Sequence, residues 1–307
     1  MKVLLVNHLQ ERCGVYQHGW RMAQALLSDD RYESEYLETN DQQEFLNKVA
    51  QFNPDVIMYN WHTATLPWFT PQLSYQINAK QLLFHHENEL PYHLNSNAIL
   101  MADMTENPIA KIYGLPRTLP KGGWVDTESN EIITIGSFGF GFDNKGFEKV
   151  CSKVSEEYDE AVINLHITSA FFGDAAGVMA SGISERCRAA INKSGIKLNI
   201  TNHFVSDNEL IQFLNKNDIN LFLYNYEENR GLSSAIDYAV AAGKPFGVSN
   251  STMFRHVLEI FPQVNANINS IKSILEFGNA PATYFEAEWS DEKLKNKFYY
   301  ILEEVKK

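Results

Sequence analysis

The sequence of 307 residues contains little cysteine and no long apolar run. Its cysteines are far apart, show no Cys-x-x-Cys spacing and cannot all pair: Cys13, Cys151 and Cys187. A reduced, cytoplasmic location is the simplest interpretation of this cysteine usage. The apolar run near the N-terminus has only four residues, which is too short for the core of a secretion signal. No stretch approaches the roughly 18 consecutive apolar residues of a membrane-spanning helix.

Basic residues are also scarce, because 26 Lys and Arg stand against 38 Asp and Glu, a net charge of −12. Neither residues 1–125 nor the rest of the chain has an excess of basic residues. Proteins that bind the nucleic-acid backbone or an anionic membrane surface normally carry a stripe of Lys and Arg. We therefore expect no nucleic-acid partner. With 44% hydrophobic and 21% charged residues, the composition is typical of a folded globular protein.

Short apolar runs alternate with amphipathic stretches, a pattern typical of parallel sheets covered by helices on both faces. The predicted strands are residues 2–7, 34–38, 55–59, 81–86, 98–102, 131–138, 161–168, 196–204, 219–224 and 245–249. The predicted helices are residues 19–27, 41–51, 145–157, 179–193, 208–215, 234–242, 252–260 and 291–305. Ser206 or Asp207 is the expected N-cap of the helix at 208–215.

Proline and glycine interrupt the alternation between residues 107 and 130, which we interpret as a linker between domains. The length also predicts two domains, since one domain has about 100–200 residues. The expected fold class is α/β, with two tandem Rossmann-like, doubly wound domains and a cleft between them. The predicted parts are residues 1–120, residues 121–290 and a final helix at 291–307 that could pack back on the first domain. Ligands of such sheets bind at the carboxyl ends of the strands, so candidate residues should directly follow strands.

Several nucleotide and metal motifs are absent from the sequence. The first loop lacks G-x-G-x-x-G, which argues against a dinucleotide-dependent oxidoreductase. The glycine-rich segment 135–150 does not have the spacing of a P-loop, and Leu90 stands where H-E-x-x-H would need its second histidine. The missing second histidine argues against a zinc site of this type in the segment around Leu90.

Candidate residues follow three predicted strands of the first domain. Gly14 lies in the loop after the first strand, where glycine lets a backbone approach a ligand and a helix start favours anions. The alternative is an ordinary strand-to-helix turn, with Gly14 and Gly19 flanking the helix start. His62 follows the third strand beside Trp61 and Trp68, which form either a wall for a sugar or part of the core.

The segment 82–89 places His86 at the end of the next strand, together with His85, Glu87 and Glu89. His86 could act as a base, orient a substrate hydroxyl or bind a sugar oxygen. A purely structural pair of histidines and a zinc site are the alternatives.

In the second domain, Lys145 follows a strand and a run of glycines. Backbone amides and one ammonium suit a diphosphate, because the amides donate hydrogen bonds and the ammonium neutralises charge. A solvated lysine in a turn is the alternative.

Arg230 lies in a loop just before Ser233 and Ser234, which are expected to cap the next helix. Arginine binds phosphate oxygens in a bidentate manner, and capping hydroxyls and free amides add donors. Asp237, about one turn into that helix, could accept the hydroxyls of a ribose. The alternative for Arg230 is a surface ion pair with a neighbouring glutamate.

Over most of its length, and most clearly over residues 131–257, this sequence resembles the retaining glycosyltransferases of the GT-B architecture in the group-1/family-4 class. Residues 238–245 match the end of the family's C-terminal motif, Ala-Met-Ala-x-Gly-x-Pro. In the family this segment follows two glutamates with seven residues between them, and those positions here are Arg230 and Tyr238. Lys145-Gly146 fits the family's donor-diphosphate segment, whose arginine position is Ser137 or Phe138 here.

The resemblance implies a glycosyltransferase that moves a sugar from a nucleotide-sugar donor to a glycan, lipid-linked or small-molecule acceptor, as in polysaccharide biosynthesis. It implies no metal ion and no cofactor besides the donor as co-substrate. Gly14 and His86 are the expected catalytic positions, facing the acceptor and the sugar. The expected substrate-binding residues are His62, Lys145, Arg230, Ser233, Ser234 and Asp237. A non-catalytic GT-B-like binding or partner subunit, and a sugar-nucleotide epimerase of the same architecture, are the alternatives.

Overall fold

The computed structural model describes residues 1–87, 89–102, 106–123, 130–170, 172–228 and 230–306, which form two compact α/β units. The first unit comprises Met1–Thr118, Asn229–Leu232 and Glu288–Lys307. The second unit comprises Leu119–Glu228 and Ser233–Ala287. Within the described ranges, no helix has both the length and the apolar character needed to cross a membrane.

Both units are built from strands and helices that alternate along the chain. The strands are β1 Lys2–Asn7, β2 Glu33–Glu38, β3 Val56–Trp61, β4 Lys80–His85, β5 Ala98–Met101, β6 Ile112–Gly114, β7 Thr134–Phe140, β8 Ala161–Thr168, β9 Ile196–Thr201, β10 Ile219–Phe222 and β11 Phe246–Val248. The helices are α1 Gly14–Leu27, α2 Gln42–Phe52, α3 Pro71–Gln76, α4 Phe147–Glu157, α5 Val178–Ala189, α6 Asp207–Asn215, α7 Ala235–Ala241, α8 Arg255–Leu258, α9 Ile271–Phe277, α10 Ala280–Glu288 and α11 Asp291–Lys306.

The sheet of the first unit is parallel, with the strand order β2-β1-β3-β4-β5-β6. The residues of β1 alternate between two cores, because successive side chains of a strand point to opposite faces. Val3 and Leu5 pack on one face with α1 and α11, and Leu4 and Val6 pack on the other. The continuous apolar run of β1 therefore reflects a strand that is buried on both sides.

The sheet of the second unit is also parallel, with the order β11-β10-β7-β8-β9. In each sheet the chain builds outward in one direction, returns to the middle and continues in the other. The order therefore reverses between β1 and β3 in the first unit and between β7 and β10 in the second. Such reversal points leave room at the carboxyl ends of the strands, where doubly wound sheets bind ligands.

Three sequence predictions are wrong in detail. The predicted linker at 107–130 contains a 3₁₀ turn at Pro108–Ala110 and the strand β6, which pairs with β5; residues 124–129 of this segment lie outside the described residues. The three-residue apolar run of β6 is too short to stand out as a strand in the sequence. Helix α1 begins at Gly14, five residues before the predicted start. Helices α3, α9 and α10 were not predicted, because their short apolar patterns lie between loops.

Candidate functional site

Three polar side chains lie at the carboxyl edge of the first sheet, on the face covered by α1. They are Asn7, Asn60 and His86, each two residues beyond a core residue of its strand: Leu5 in β1, Met58 in β3 and Phe84 in β4. Because the side-chain period of a strand is two, a residue at this spacing stays on the same face. The three polar residues therefore meet where the hydrophobic core ends. Sequence reasoning selected only His86 of the three.

Asn60 is the centre of a buried hydrogen-bond network. Its Nδ2 donates to Asn7 Oδ1 at 2.8 Å and to the carbonyl oxygen of Val15 at 2.8 Å. Its Oδ1 lies 2.6 Å from His86 Nε2. Asn7 Nδ2 in turn donates to the carbonyl oxygen of Tyr16 at 3.1 Å and to Tyr36 Oη at 3.0 Å. The first turns of α1 thus anchor both amides.

His86 is kept neutral in this environment. Burial, followed by the nearby histidines His62 and His85, holds the pKa of His86 well below its usual value. A neutral imidazole has one ring nitrogen that donates and one that accepts a hydrogen bond. His86 can therefore bind an uncharged hydroxyl without carrying a positive charge.

Two further histidines complete this edge. His62 Nδ1 accepts a hydrogen bond from the amide of Ala64 at 3.1 Å, and His62 Nε2 lies 3.1 Å from Glu87 Oε1. His8 Nδ1 accepts from the amide of Gln10 at 3.2 Å, while His8 Nε2 is buried without a hydrogen-bond partner in the described part of the chain. Burial, together with His62, lowers the pKa of His8 to about 4. Histidines thus follow all three central strands.

The structure corrects the interpretation of the first loop. Gly14 is exposed and is the first residue of α1, but Gly19 lies inside that helix and is buried. A Cβ at Gly19 would be 2.2 Å from Asn60 Nδ2. Glycine is needed there to admit the Asn60 side chain rather than to form a turn. Trp61 belongs to the core, since it is buried and stacks on His85 with ring centroids 5.5 Å apart.

In the second unit, Lys145 lies at the reversal point between β7 and β10. It ends a 3₁₀ turn at Asp143–Lys145, and its Nζ is 4.1 Å from the ring centroid of Tyr224. The loops after the two strands are joined, because Asn225 donates to the carbonyl oxygens of Asp143 and Asn144 at 2.9 and 2.8 Å. The cation–π contact and these bonds place the Lys145 ammonium at the carboxyl edge of the sheet.

Gly146, directly after Lys145, has φ of +62° and is the N-cap of α4. A Cβ there would be 2.0 Å from the carbonyl oxygen of Leu223. Only glycine adopts this positive φ without strain and also leaves room for the carbonyl oxygen of Leu223. The Lys145-Gly146 pair is thus a built turn and not a flexible loop.

The predicted capping serines differ from each other. Ser233 is buried; its Oγ donates to Tyr224 Oη and accepts from the amide of Ala235, both at 3.3 Å. Ser234 is the N-cap of α7 but makes no side-chain cap hydrogen bond. Asp237 is fully buried, which is a correction: its carboxylate does not face solvent where a ribose could reach it.

Arg230 is exposed, and its segment belongs to the first unit, not to the second as predicted. The next residue, Gly231, lies so close to His86 that a Cβ would be 1.7 Å from the His86 carbonyl oxygen. The predicted phosphate-binding set is therefore divided, with Lys145, Ser233 and Ser234 in the second unit. Among the residues that the structure describes, no three His, Cys, Asp or Glu side chains are grouped so as to hold a metal ion.

Solved structures resemble this chain over its whole length. HepE from Anabaena, in complex with UDP and glucose, has a TM-score of 0.63 at 11% identity, covering 99% of both chains. A glycosyltransferase from Rickettsia africae has a TM-score of 0.67 at 12% identity, covering 100% of this chain and 98% of its own. AviGT4, a glycosyltransferase involved in avilamycin A biosynthesis, has a TM-score of 0.64 at 11% identity, covering 99% and 97%. The chain has the GT-B fold.

This result confirms the predicted GT-B-like fold class with two Rossmann-like α/β domains. No protein-family model matches the sequence, and no curated protein matches it either. At 11–12% identity, the likeness to these structures is one of fold.

Proposed function

We propose that this protein is a GT-B glycosyltransferase that transfers a sugar from a nucleotide-sugar donor to a hydroxyl of its acceptor. The observation that carries the proposal is the match of the entire chain to HepE, a protein of the same fold solved with UDP and glucose. A UDP-sugar is accordingly the first donor to test.

In this proposal the second unit binds the donor. Lys145 supplies the positive charge for the diphosphate, at the reversal point where doubly wound sheets bind ligands. A departing diphosphate is stabilised by fixed cations and by amide and hydroxyl donors. Ser233 and Ser234 are the candidate hydroxyl donors of this unit, and Ser233 contacts Tyr224, the residue whose ring Lys145 also contacts. This mechanism would need no metal ion.

The first unit contributes the residues that contact sugar hydroxyls. The pKa of His86 is lowered mainly by burial, so its ring is neutral at pH 7. A neutral ring favours an uncharged polyhydroxy ligand over a phosphorylated one, because it offers no charge to an anion. His62, with Glu87, and Gly14 at the start of α1 complete the proposed sugar-binding edge.

A non-catalytic GT-B-like subunit is the second candidate, and one observation favours it. The position of the family's second motif glutamate is occupied by Tyr238, which is buried and donates from Oη to Asp207 Oδ1 at 2.7 Å. Its ring packs against Phe138 with centroids 5.3 Å apart. This position thus has a structural role in the second unit.

The test is a panel of UDP-, GDP-, ADP- and CMP-sugars with the purified protein, read by thermal shift and by release of the nucleotide, which is CMP for a CMP-sugar and a nucleoside diphosphate for the others. A true donor raises the melting temperature by mass action, and an enzyme also releases the nucleotide slowly by hydrolysis or transfer. Stabilisation without any turnover would favour the subunit. If none of the compounds stabilises the protein, the proposal is wrong.

A further inference from the structure

The side-chain amides of Asn7 and Asn60 have only one orientation that satisfies their neighbours. A backbone carbonyl oxygen accepts hydrogen bonds and cannot donate them. The carbonyl oxygen of Tyr16 therefore requires Nδ2 of Asn7, and that of Val15 requires Nδ2 of Asn60. Asn7 Oδ1 is confirmed independently as an oxygen, because it accepts from the amide of His8 at 2.9 Å.

This orientation determines which atom of Asn60 faces His86. With Nδ2 directed to Asn7 and Val15, Oδ1 is the atom 2.6 Å from His86 Nε2. An amide oxygen can only accept, so His86 Nε2 must carry the hydrogen. In the neutral ring the lone pair then lies on Nδ1, the atom that can accept a hydrogen bond or a proton.

We infer that Asn60 is a positioning residue that holds His86 as the Nε2–H tautomer, so that Nδ1 accepts a hydrogen bond from a hydroxyl of the sugar or the acceptor. The tautomer follows from the hydrogen-bond network alone. The role of Nδ1 toward a substrate rests on the proposed function.

Helix α1 contains a second sign that this network is built for Asn60. Glycine in a helix interior is unfavourable, yet Gly19 lies buried in α1 where a Cβ would overlap Asn60 Nδ2 and Cγ, at 2.2 and 2.4 Å. The helix thus has a gap at the one place where the amide needs space. The amide cannot be shifted without losing its bonds to Val15 and Asn7.

The surroundings of His86 also oppose a charged ring. His18 meets it edge-on with ring centroids 5.7 Å apart, and Phe84 lies 5.0 Å away. The charge of Arg117, and that of His62, His85 or His8 whenever one of them is protonated, disfavours protonation of His86. Since the ring stays neutral, its tautomer decides what it offers to a ligand.

The direct test is ¹⁵N NMR of the histidine rings in the intact protein, with the His86 signal assigned from its loss in His86→Gln. We expect a proton on Nε2 and none on Nδ1 in the wild type. Asn60→Ala should give a mixture of tautomers, and Asn60→Asp should favour a doubly protonated ring, because a carboxylate then faces Nε2. Tyr36→Phe is the matched control: it removes another bond of Asn7 but leaves Asn60 and the bond to Tyr16 in place, so the tautomer should not change.

A wild-type His86 with its proton on Nδ1, or an unchanged tautomer in Asn60→Ala, would overturn the inference. The wild-type measurement alone decides this point even where a variant does not fold. The second readout is transfer kinetics with the donor found by the panel. Asn60→Ala should lower kcat by at least about tenfold, as expected for loss of a positioned hydrogen-bonding group, with little change in donor KM.

The two failures are distinguishable. If the tautomer changes in Asn60→Ala but kcat does not, the substrate role of Nδ1 is wrong and the tautomer assignment stands. If the wild type transfers no sugar from any donor, the proposed function and the substrate role both fail, and the NMR result alone decides the tautomer.

Discussion

Lys145 is the residue that the proposed function assigns to the donor diphosphate in the second unit. Its ammonium lies against the Tyr224 ring, and Gly146 directs the chain away immediately after it. The position of Lys145 after a strand predicted it as a candidate residue, but nothing in the sequence indicated that its side chain contacts Tyr224. The two residues are 79 positions apart in the sequence, and only the pairing of β7 with β10 brings their loops together.

We predict that Lys145→Ala weakens binding of UDP, or of the nucleoside diphosphate of the true donor, by about 10- to 100-fold. This corresponds to the loss of one charge-assisted hydrogen bond. Isothermal titration calorimetry measures the effect. Lys149→Ala is the matched control, because Lys149 is exposed in the first turn of α4, and it should leave the affinity unchanged. If the wild type and Lys145→Ala bound the nucleoside diphosphate equally well, Lys145 would not be part of the donor site.

Stability should fall as the pH decreases from 6.5 toward 4, in part through His8. Its pKa is about 4 in the folded protein and close to 6.5 when unfolded, so the unfolded chain binds more protons in this window. Protonation of the buried His8 ring therefore lowers the free energy of unfolding by up to about 3 kcal/mol across this window. Above the pKa of His8 in the unfolded chain, the ring is neutral in both states and the protein keeps this part of its stability.

The measurement is the thermal melting temperature between pH 5 and pH 7.5. His8→Gln should flatten the pH dependence, and His93→Gln, at an exposed histidine, should not. If the melting temperature depended on pH with the same slope in His8→Gln and in the wild type, the pH dependence could not be assigned to His8.

At the scale of single elements, local patterns predicted most of the strands and several helix ends. The bounds of β1 and β8 agree with prediction, and Ser206 is confirmed as the N-cap of α6, where it forms a capping box with Glu209. The start of α1 was wrong because Gly14 and Gly19 favour a loop by local propensity. The packing of Asn60 against Gly19 overrides that propensity, and it depends on a different strand.

Helix α1 should respond to Gly19→Ala in the direction opposite to helix propensity. Alanine in a helix interior is normally more stable than glycine by about 1 kcal/mol. At Gly19 the added Cβ would collide with Asn60, so we expect destabilisation of about 1–3 kcal/mol. Gly182→Ala in α5 is the control, since the nearest atom to its Cβ is 3.9 Å away at the end of the Arg186 side chain. Urea denaturation should show opposite signs for the two variants; stabilisation by Gly19→Ala would disprove the packing argument.

At the scale of the whole molecule, the first unit is assembled from distant parts of the chain. Helix α11 packs on α1, and Phe298 and Leu302 join the same core cluster as Val3 and Met22. The segment at residues 229–232 also belongs to this unit. This segment interrupts the second unit, whereas α11 returns to the first unit after the second is complete.

We expect Phe298→Ala to destabilise the first unit by about 3–5 kcal/mol, because Phe298 is fully buried and the truncation leaves a cavity. Hydrogen exchange followed by mass spectrometry should become faster in β1, β3 and α1. Ile274→Ala, at a fully buried residue of α9 in the second unit, is the matched control and should accelerate exchange around β11 instead. Uniform acceleration across both units in Phe298→Ala would contradict this division.

Periodicity and residue type in the sequence were enough to predict two parallel α/β domains and to direct attention to the residues after their strands. This is possible because strand burial, helix capping and turn formation are local properties that a short segment expresses by itself. The network of Asn7, Asn60, Gly19 and His86, the contact of Lys145 with Tyr224, and the burial of Asp237 came from the folded chain. Each of them joins residues that only the sheet order and the packing of α1 and α7 bring within bonding distance, and no local pattern encodes such distances.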